Sequence, residues 1–255
     1  MAAPTLARLV YRNVRVNADP ATLIILLGLP AMYLIFFGYG FSSLASSGGS
    51  GTGYLAFLAP GIMAFQSVMA GTVAGSILWA DRRWGMLAQL LVGPFSRVEY
   101  LLGIIVTSAL FGLGGAVLML ALAVGLLGTT TLTTVGVASM LGAIALGSVL
   151  FGGLMLLLAA LVKSNNAYNS LQILLIFVVN FASTVFYPLS SGLPIGLKAM
   201  FVANPLTYIA DAVRHGYAGG FQASDALGFL LLAVETVVLL VLATRAYLRS
   251  DVSME

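Results

Sequence analysis

The sequence predicts an all-α polytopic membrane protein with six transmembrane helices, and three observations predict it. Apolar residues make up 60% of the 255 and charged residues 7%, a balance that no water-facing surface of a domain this size tolerates. Six apolar tracts, at about 21–41, 54–79, 100–127, 135–162, 170–189 and 225–244, are each long enough to cross a hydrocarbon core of about 30 Å. The cations fall almost entirely in alternate connections. The whole of 1–255 reads as a single membrane domain.

The same composition excludes several classes. With no cysteine there is neither a disulfide nor a thiolate metal site, and one histidine, His215, gives no basis for a histidine-built metal centre. A formal charge of +3 is too small to point to nucleic acid.

Residues 5–17 come first. Arg8, Arg12 and Arg15 cluster on one helical face, with Leu6, Leu9, Val10 and Val14 broadly opposite. That pattern predicts an amphipathic helix in the headgroup plane, its arginines near anionic lipid; a disordered basic leader that only sets orientation is the alternative. The first span follows Asp19-Pro20, an N-cap with proline at the first helical position. Ser43-Leu44-Ala45 loosely resembles a signal-peptidase site, but the run of about 20 apolar residues before it exceeds a signal core of about 7–15, so it reads as a retained span. Pro30 inside it is expected to kink the helix.

The connections 42–53 and 128–134 carry no charge, whereas 80–99, 163–169 and both terminal segments carry nine of the eleven cations: Arg8, Arg12, Arg15, Arg82, Arg83, Arg97, Lys163, Arg245 and Arg249. Only Lys198 and Arg214 lie on the other side. By the positive-inside rule both termini and 80–99 are expected in the cytoplasm. Ser96 and Glu99 have capping-box spacing before the third span, and Thr134, Asn169 and Ser224 are expected to cap later ones. Gly71 and Gly75 on span two, and Ser148 and Gly152 on span four, allow close helix packing. The external segment 190–223 is too apolar for a plain loop and too interrupted to span. Asn204-Pro205 opens a short helix there and Gly216 to Gly220 closes it, so short re-entrant or interfacial helices are expected.

The chain contains no GxxxxGK[ST] phosphate loop, no GxSxG elbow, no HExxH and no paired-carboxylate arrangement, so it is not expected to hydrolyse ATP or act as an enzyme. His215 beside Arg214 lacks an evident partner for general-base work and reads as a surface or interfacial residue. Asp211 and Arg214, three apart, read as an exposed ion pair of little energetic weight.

Three features point to function. In 80–99, Trp84, Leu87 and Leu91 share a helical face, with Gly93-Pro94 ending the helix. Two readings stand: a hairpin whose charges only set topology, and a docking element for a cytoplasmic partner. On span five, Asn180, Ser183, Thr184 and Tyr187 fall at i, i+3, i+4 and i+7, with Gln172 two turns back. They read either as interhelical hydrogen-bonding groups or as the lining of a translocation path. Glu235, at the middle of the last span, costs about 2.5–3.5 kcal/mol to insert and reads as paired within the bundle, or as a proton or cation site.

Four stretches in order, "YLAFLAPGIM" (54–63), "DRRWGMLAQLLVGPFSRVEYLLG" (81–103), "FYPLSSGLP" (186–194) and "NPLTYIADAVRHG" (204–216), give the chain a resemblance to ABC-transporter permeases of the type-2 exporter class. These include drug-resistance permeases of the daunorubicin kind, and the resemblance runs over nearly the whole chain. It implies two permeases, alike or related, on two cytoplasmic ATP-binding cassette subunits that bind ATP and Mg, with no cofactor in this chain. It implies that Asp81, Arg82, Arg83, Trp84, Gly85 and Leu87 form a coupling helix entering a cleft in the ATPase, and that 5–17 is the family's interfacial helix against membrane lipids. It places Gln172, Asn180, Ser183, Thr184 and Tyr187 on a span near the dimer axis, in the plasma or inner membrane. The expected activity is export of a hydrophobic or amphipathic compound. The alternatives are a glycan or lipid-linked polysaccharide as cargo, ion-coupled transport through Glu235, and a scaffold without transport.

Overall fold

The computed structural model describes residues 5–45, 51–93, 95–127, 132–189 and 192–249. Among them every regular element is a helix: α1 (Thr5–Asn17), α2 (Pro20–Ala45), α3 (Gly51–Arg83), α4 (Met86–Val92), α5 (Arg97–Leu127), α6 (Thr134–Leu161), α7 (Asn165–Phe181), α8 (Ile195–Ala203), α9 (Pro205–Tyr217) and α10 (Ala223–Arg249). Five of these, α2, α3, α5, α6 and α10, are long and apolar enough to cross a membrane. The fifth apolar tract departs from the expectation of a sixth span. Its helix is 17 residues, about 26 Å at the α-helical rise, and stops at Phe181. The chain then bends through 182–187 instead of continuing helical to 189.

Small residues let the central helices approach. A Cβ on Gly71 of α3 would meet Phe151 of α6 at 2.6 Å, and one on Gly75 would meet Met155 at 2.9 Å. The Ser108 hydroxyl of α5 shares its one proton between the carbonyls of Ala70 on α3 at 2.8 Å and Ser148 on α6 at 3.1 Å. One side chain therefore ties three helices where no water competes for the bond. Leu9 of α1 packs on Gly103 of α5, where a Cβ would meet it at 3.0 Å. The buried face of α10 includes Asp225, Gly228, Leu232 and Thr236, and it packs on α6 and α9.

The helix starts follow capping chemistry, at partly different residues. The Asp19 carboxylate accepts from the N–H groups of Ala21 and Thr22 at 3.0 and 3.2 Å. Ser96 and Glu99 form the reciprocal capping box. For α6 the cap is Thr133 rather than Thr134: its hydroxyl accepts from Gly136 N–H at 3.0 Å and donates to the Gly219 carbonyl at 2.9 Å. Asn169 lies inside α7, which begins a turn earlier at Asn165, and α10 begins at Ala223 ahead of Ser224. Pro30 lies inside α2, which is unbroken from Pro20 to Ala45. Pro94, expected to end α4, lies outside the described residues, as do 46–50 and 128–131 of the uncharged connections. Segment 190–223 contains two short helices, α8 and α9.

Candidate functional site

The end of α3 sorts its charges inward and outward. Asp81 and Arg82 are buried, whereas Arg83 and Trp84 are exposed, Trp84 at 72%. The Arg12 guanidinium of α1 donates to both carboxylate oxygens of Asp81, one at 2.6 Å, and the Tyr100 hydroxyl of α5 donates to the same carboxylate at 2.8 Å. The hydrogen bond it donates to Asp81 holds the Arg12 guanidinium above its ordinary pKa. Arg82 donates to the Ala159 carbonyl near the end of α6 at 2.8 Å. These two residues of the expected coupling element turn into the bundle, where they root α3 in its neighbours. Arg12 likewise faces Asp81 rather than lipid, which leaves Arg8 and Arg15 as the exposed arginines of α1.

Gly85 turns the chain from α3 into α4 with φ of 69°, in the left-handed region that glycine enters without strain. The turn leaves Trp84 outside, with the Arg83 guanidinium 5.4 Å from its ring centroid. Leu87 lies beneath, 1% exposed, so it pins α4 to the bundle. The surface presented at this end includes Arg83, Trp84 and Met86, with Ala88, Gln89 and Val92 farther along α4.

A tryptophan that the sequence reading passed over joins this end to α7. Trp79 stacks on Tyr168 with centroids 4.7 Å apart and planes within 2°, and its indole N–H donates to the Asn165 side chain at 2.9 Å. Both partners lie in the first turn of α7. The signal was available: the chain has only two tryptophans, five residues apart on one helix end. Beyond this grip α7 leaves a cavity of about 250 Å³ behind it, lined by Asn17, by Thr22, Ile25 and Leu26 of α2, by Met69, Thr72, Val73 and Ser76 of α3, and by Gln172 and Ile176 of α7. Of the expected path residues, only Gln172 lines it.

The others lie elsewhere. Asn180, Ser183 and Thr184 are buried at the far end of α7, and because the helix stops at Phe181 they do not form a stripe with Tyr187. The Ser183 hydroxyl donates back to the Asn180 carbonyl at 2.6 Å. Asn204 donates to the carbonyls of Val179 and Ala182 at 2.7 and 2.8 Å while its side-chain oxygen accepts from Leu206 N–H at 3.0 Å. One side chain thus caps the end of α7 and the start of α9. Tyr187 is half-exposed and stacks on Phe201 of α8.

Arg214 corrects the reading of an exposed ion pair. Its guanidinium donates to Asp211 at 3.0 Å, to the Thr184 hydroxyl at 3.2 Å, and to the carbonyls of Thr184 and Val185, and it lies 4.0 Å from the Phe57 ring of α3. It clamps the non-helical stretch after α7 onto α3 and α9. His215 also has a partner: its Nδ1 lies 2.7 Å from the buried Asp225 carboxylate, which accepts from Gln222 N–H. The pair closes the turn between α9 and α10. Glu235 lies on α10 with one carboxyl oxygen buried and unbonded among the described residues, away from the Gln172 cavity.

The geometry is that of a helical membrane domain with a rooted hairpin after α3, a short helix α7 and a cavity behind it. The family model of the ABC-2 type transporter matches residues 6–217. This chain belongs to the ABC-2 type transporter family. A search of curated proteins returned no match. The match spans α1 through α9, so the interfacial-type helix, the 81–92 hairpin and the Arg214 clamp all belong to the transporter domain. It makes this permease a transport component of an ABC system rather than its catalytic ATPase, and it implies ATP-binding cassette subunits as partners.

Proposed function

We propose that this permease is the membrane-spanning subunit of an ATP-driven exporter in the plasma or inner membrane, with both termini and the 81–92 hairpin in the cytoplasm. The observation that carries this reading is the division at the end of α3, where Asp81 and Arg82 root the hairpin and Arg83 and Trp84 stand outside it. A docking knob needs a rigid base and an aromatic or arginine tip, and topology alone requires neither a stacked Arg–Trp pair nor a buried ion pair beneath it. ATP-driven closure of the partner subunits would push this tip, and the rooted base would carry the push into α1, α5 and α6. Two permeases, alike or related, would share the path, with α7 completing a sixth crossing as a short helix extended by 182–187. The cargo is a hydrophobic or amphipathic compound, with a glycan or lipid-linked polysaccharide as the competing class.

Glu235, with its unbonded buried oxygen, favours one rival mechanism, in which an ion gradient drives transport. Reconstitution with the partner ATPase separates the two. The exporter reading expects flux that needs ATP and survives Glu235→Gln. Proton-driven flux without the ATPase, abolished by Glu235→Gln, would overturn it.

A further inference from the structure

The cavity between α2, α3 and α7 has an ordered lining. Its hydrogen-bonding side chains gather toward the basic end of the bundle: Asn17 at the end of α1, Thr22 at the start of α2, and Ser76 and Gln172, each seven residues, or about 10 Å, from the basic end of its helix. The apolar lining, Leu26, Met69, Val73 and Ile176, lies farther along the same helices. Thr72 sits among these apolar groups, but its hydroxyl donates to the Met69 carbonyl at 2.6 Å and is already satisfied. Asn17 Nδ2 donates to the Asn13 carbonyl at 2.9 Å and the Thr22 side chain bonds Asp19, each with further hydrogen-bonding capacity, whereas the Gln172 amide makes no hydrogen bond among the described residues. None of the ten lining residues is ionisable, although this end of the chain carries nine cations.

We infer that this cavity is a binding site for an amphiphile with an uncharged, hydroxyl-bearing head, its head among Asn17, Thr22, Ser76 and Gln172 and its chain on Leu26, Met69 and Ile176. The inference rests on the exporter reading for its meaning as cargo recognition, but not for its test. The polar mouth lies at the depth of the cytoplasmic headgroups on the proposed topology, and the apolar floor lies at the depth of the acyl chains. An amphiphile standing in that leaflet matches both without turning over. A head of either charge would leave water for a lining with no charge of its own, since the nearby Asp19 carboxylate lies outside the lining, open to solvent and engaged by Ala21 and Thr22, a cost that hydrogen bonds from amides and hydroxyls do not recover. Hydroxyls, which both donate and accept, suit an amide that does the same. At about 250 Å³ the cavity falls below the roughly 300–1,000 Å³ of drug-sized sites, so it takes one small head group and the first part of a chain.

The test uses the full chain in lipid nanodiscs, without ATP or any partner, and three probes of equal chain length: octyl glucoside, octyl phosphate and octyl trimethylammonium. The site predicts saturable binding of the glucoside above empty nanodiscs, about tenfold or more tighter than either charged probe. Gln172→Leu removes the preference. Gln172→Glu, nearly the same shape, turns it toward the ammonium probe. Equal binding of the three heads, a preference for phosphate that follows Arg15 rather than Gln172, or no saturable binding at all would each overturn the inference. Because the assay needs no transport, glucoside binding in a protein that shows no ATP-dependent flux would sink the exporter reading and leave the site standing. ATP-driven flux with no discrimination among the heads would do the reverse.

Discussion

The Arg12 guanidinium spans 69 residues of sequence to hold both carboxylate oxygens of Asp81, one at 2.6 Å, which makes α1 a bracket on the end of α3. The Asp81 side chain is 6% exposed and that of Arg12 26%. Removing one partner of a buried pair costs about 3–5 kcal/mol because the other charge is stranded. With the Arg12 side partly wet, Arg12→Met is expected to cost about 2–3 kcal/mol in thermal unfolding. Adding Asp81→Leu is expected to recover part of that loss, since no charge then remains unpaired. A double variant less stable than the single one contradicts the bracket.

Trp79 is the grip of α3 on α7, and α3 is also the helix that ends in Arg83 and Trp84. On the proposed mechanism, motion of that end is expected to reach α7 through this stacked ring and hydrogen bond. Trp79→Phe keeps the ring and loses the bond to Asn165, and is expected to retain most transport. Trp79→Ala is expected to leave ATP hydrolysis by the assembled complex within about twofold while transport falls about tenfold or more, a change of about 1.4 kcal/mol or more. Equal falls in both activities would show a packing role only.

Asn204 satisfies two carbonyls at the end of α7 and one N–H at the start of α9. Loss of an N-cap costs about 0.5–2 kcal/mol, and each buried acceptor left bare adds about 1 kcal/mol or more. Asn204→Ala is expected to destabilise by about 2–4 kcal/mol. Asn204→Asp, which keeps the cap on α9 but cannot donate to α7, is expected to fail nearly as badly. Hydrogen exchange at 177–187 locates the damage.

Asp19 supplies a pH-dependent contact at the start of α2. Hydrogen bonds from the Thr22 side chain and backbone, and then from Ala21, hold its carboxyl below the usual range. A depressed folded value means the contribution is present above the unfolded pKa, about 4, and is lost as pH falls through the lower folded value. Amide exchange at 21–23 is expected to accelerate only below about pH 4, and Asp19→Asn is expected to abolish that dependence while keeping the cap.

Much of this architecture is written in local sequence. Apolar tract length marks α2, α3, α5, α6 and α10, Asp19-Pro20 and Ser96–Glu99 mark two helix starts, and Gly71 and Gly75 mark the α3–α6 contact. The rest is tertiary. Nothing local stops α7 at Phe181: the stretch 182–187 contains neither glycine nor proline, and it is held in bends by Arg214, thirty residues away, which takes the Thr184 carbonyl. Periodicity therefore extended the helix and drew Asn180, Ser183, Thr184 and Tyr187 into a stripe that does not form. The same limit applies to "DRRW". Spacing cannot say that its first two charges turn inward, because Arg12, Tyr100 and the Ala159 carbonyl that receive them come from three other helices.

On the exporter reading, Trp84, standing on a rooted hairpin, is the contact with the ATPase. Trp84→Asp changes an exposed residue and leaves the base intact, whereas Leu87→Asp would bury a charge in the bundle and test only folding. The measurement is the amount of ATP-binding cassette subunit that co-purifies with wild-type and Trp84→Asp permease of equal thermal stability. Bound subunit is expected to fall about tenfold or more with the melting temperature unchanged. Undiminished association in a folded Trp84→Asp permease would contradict it.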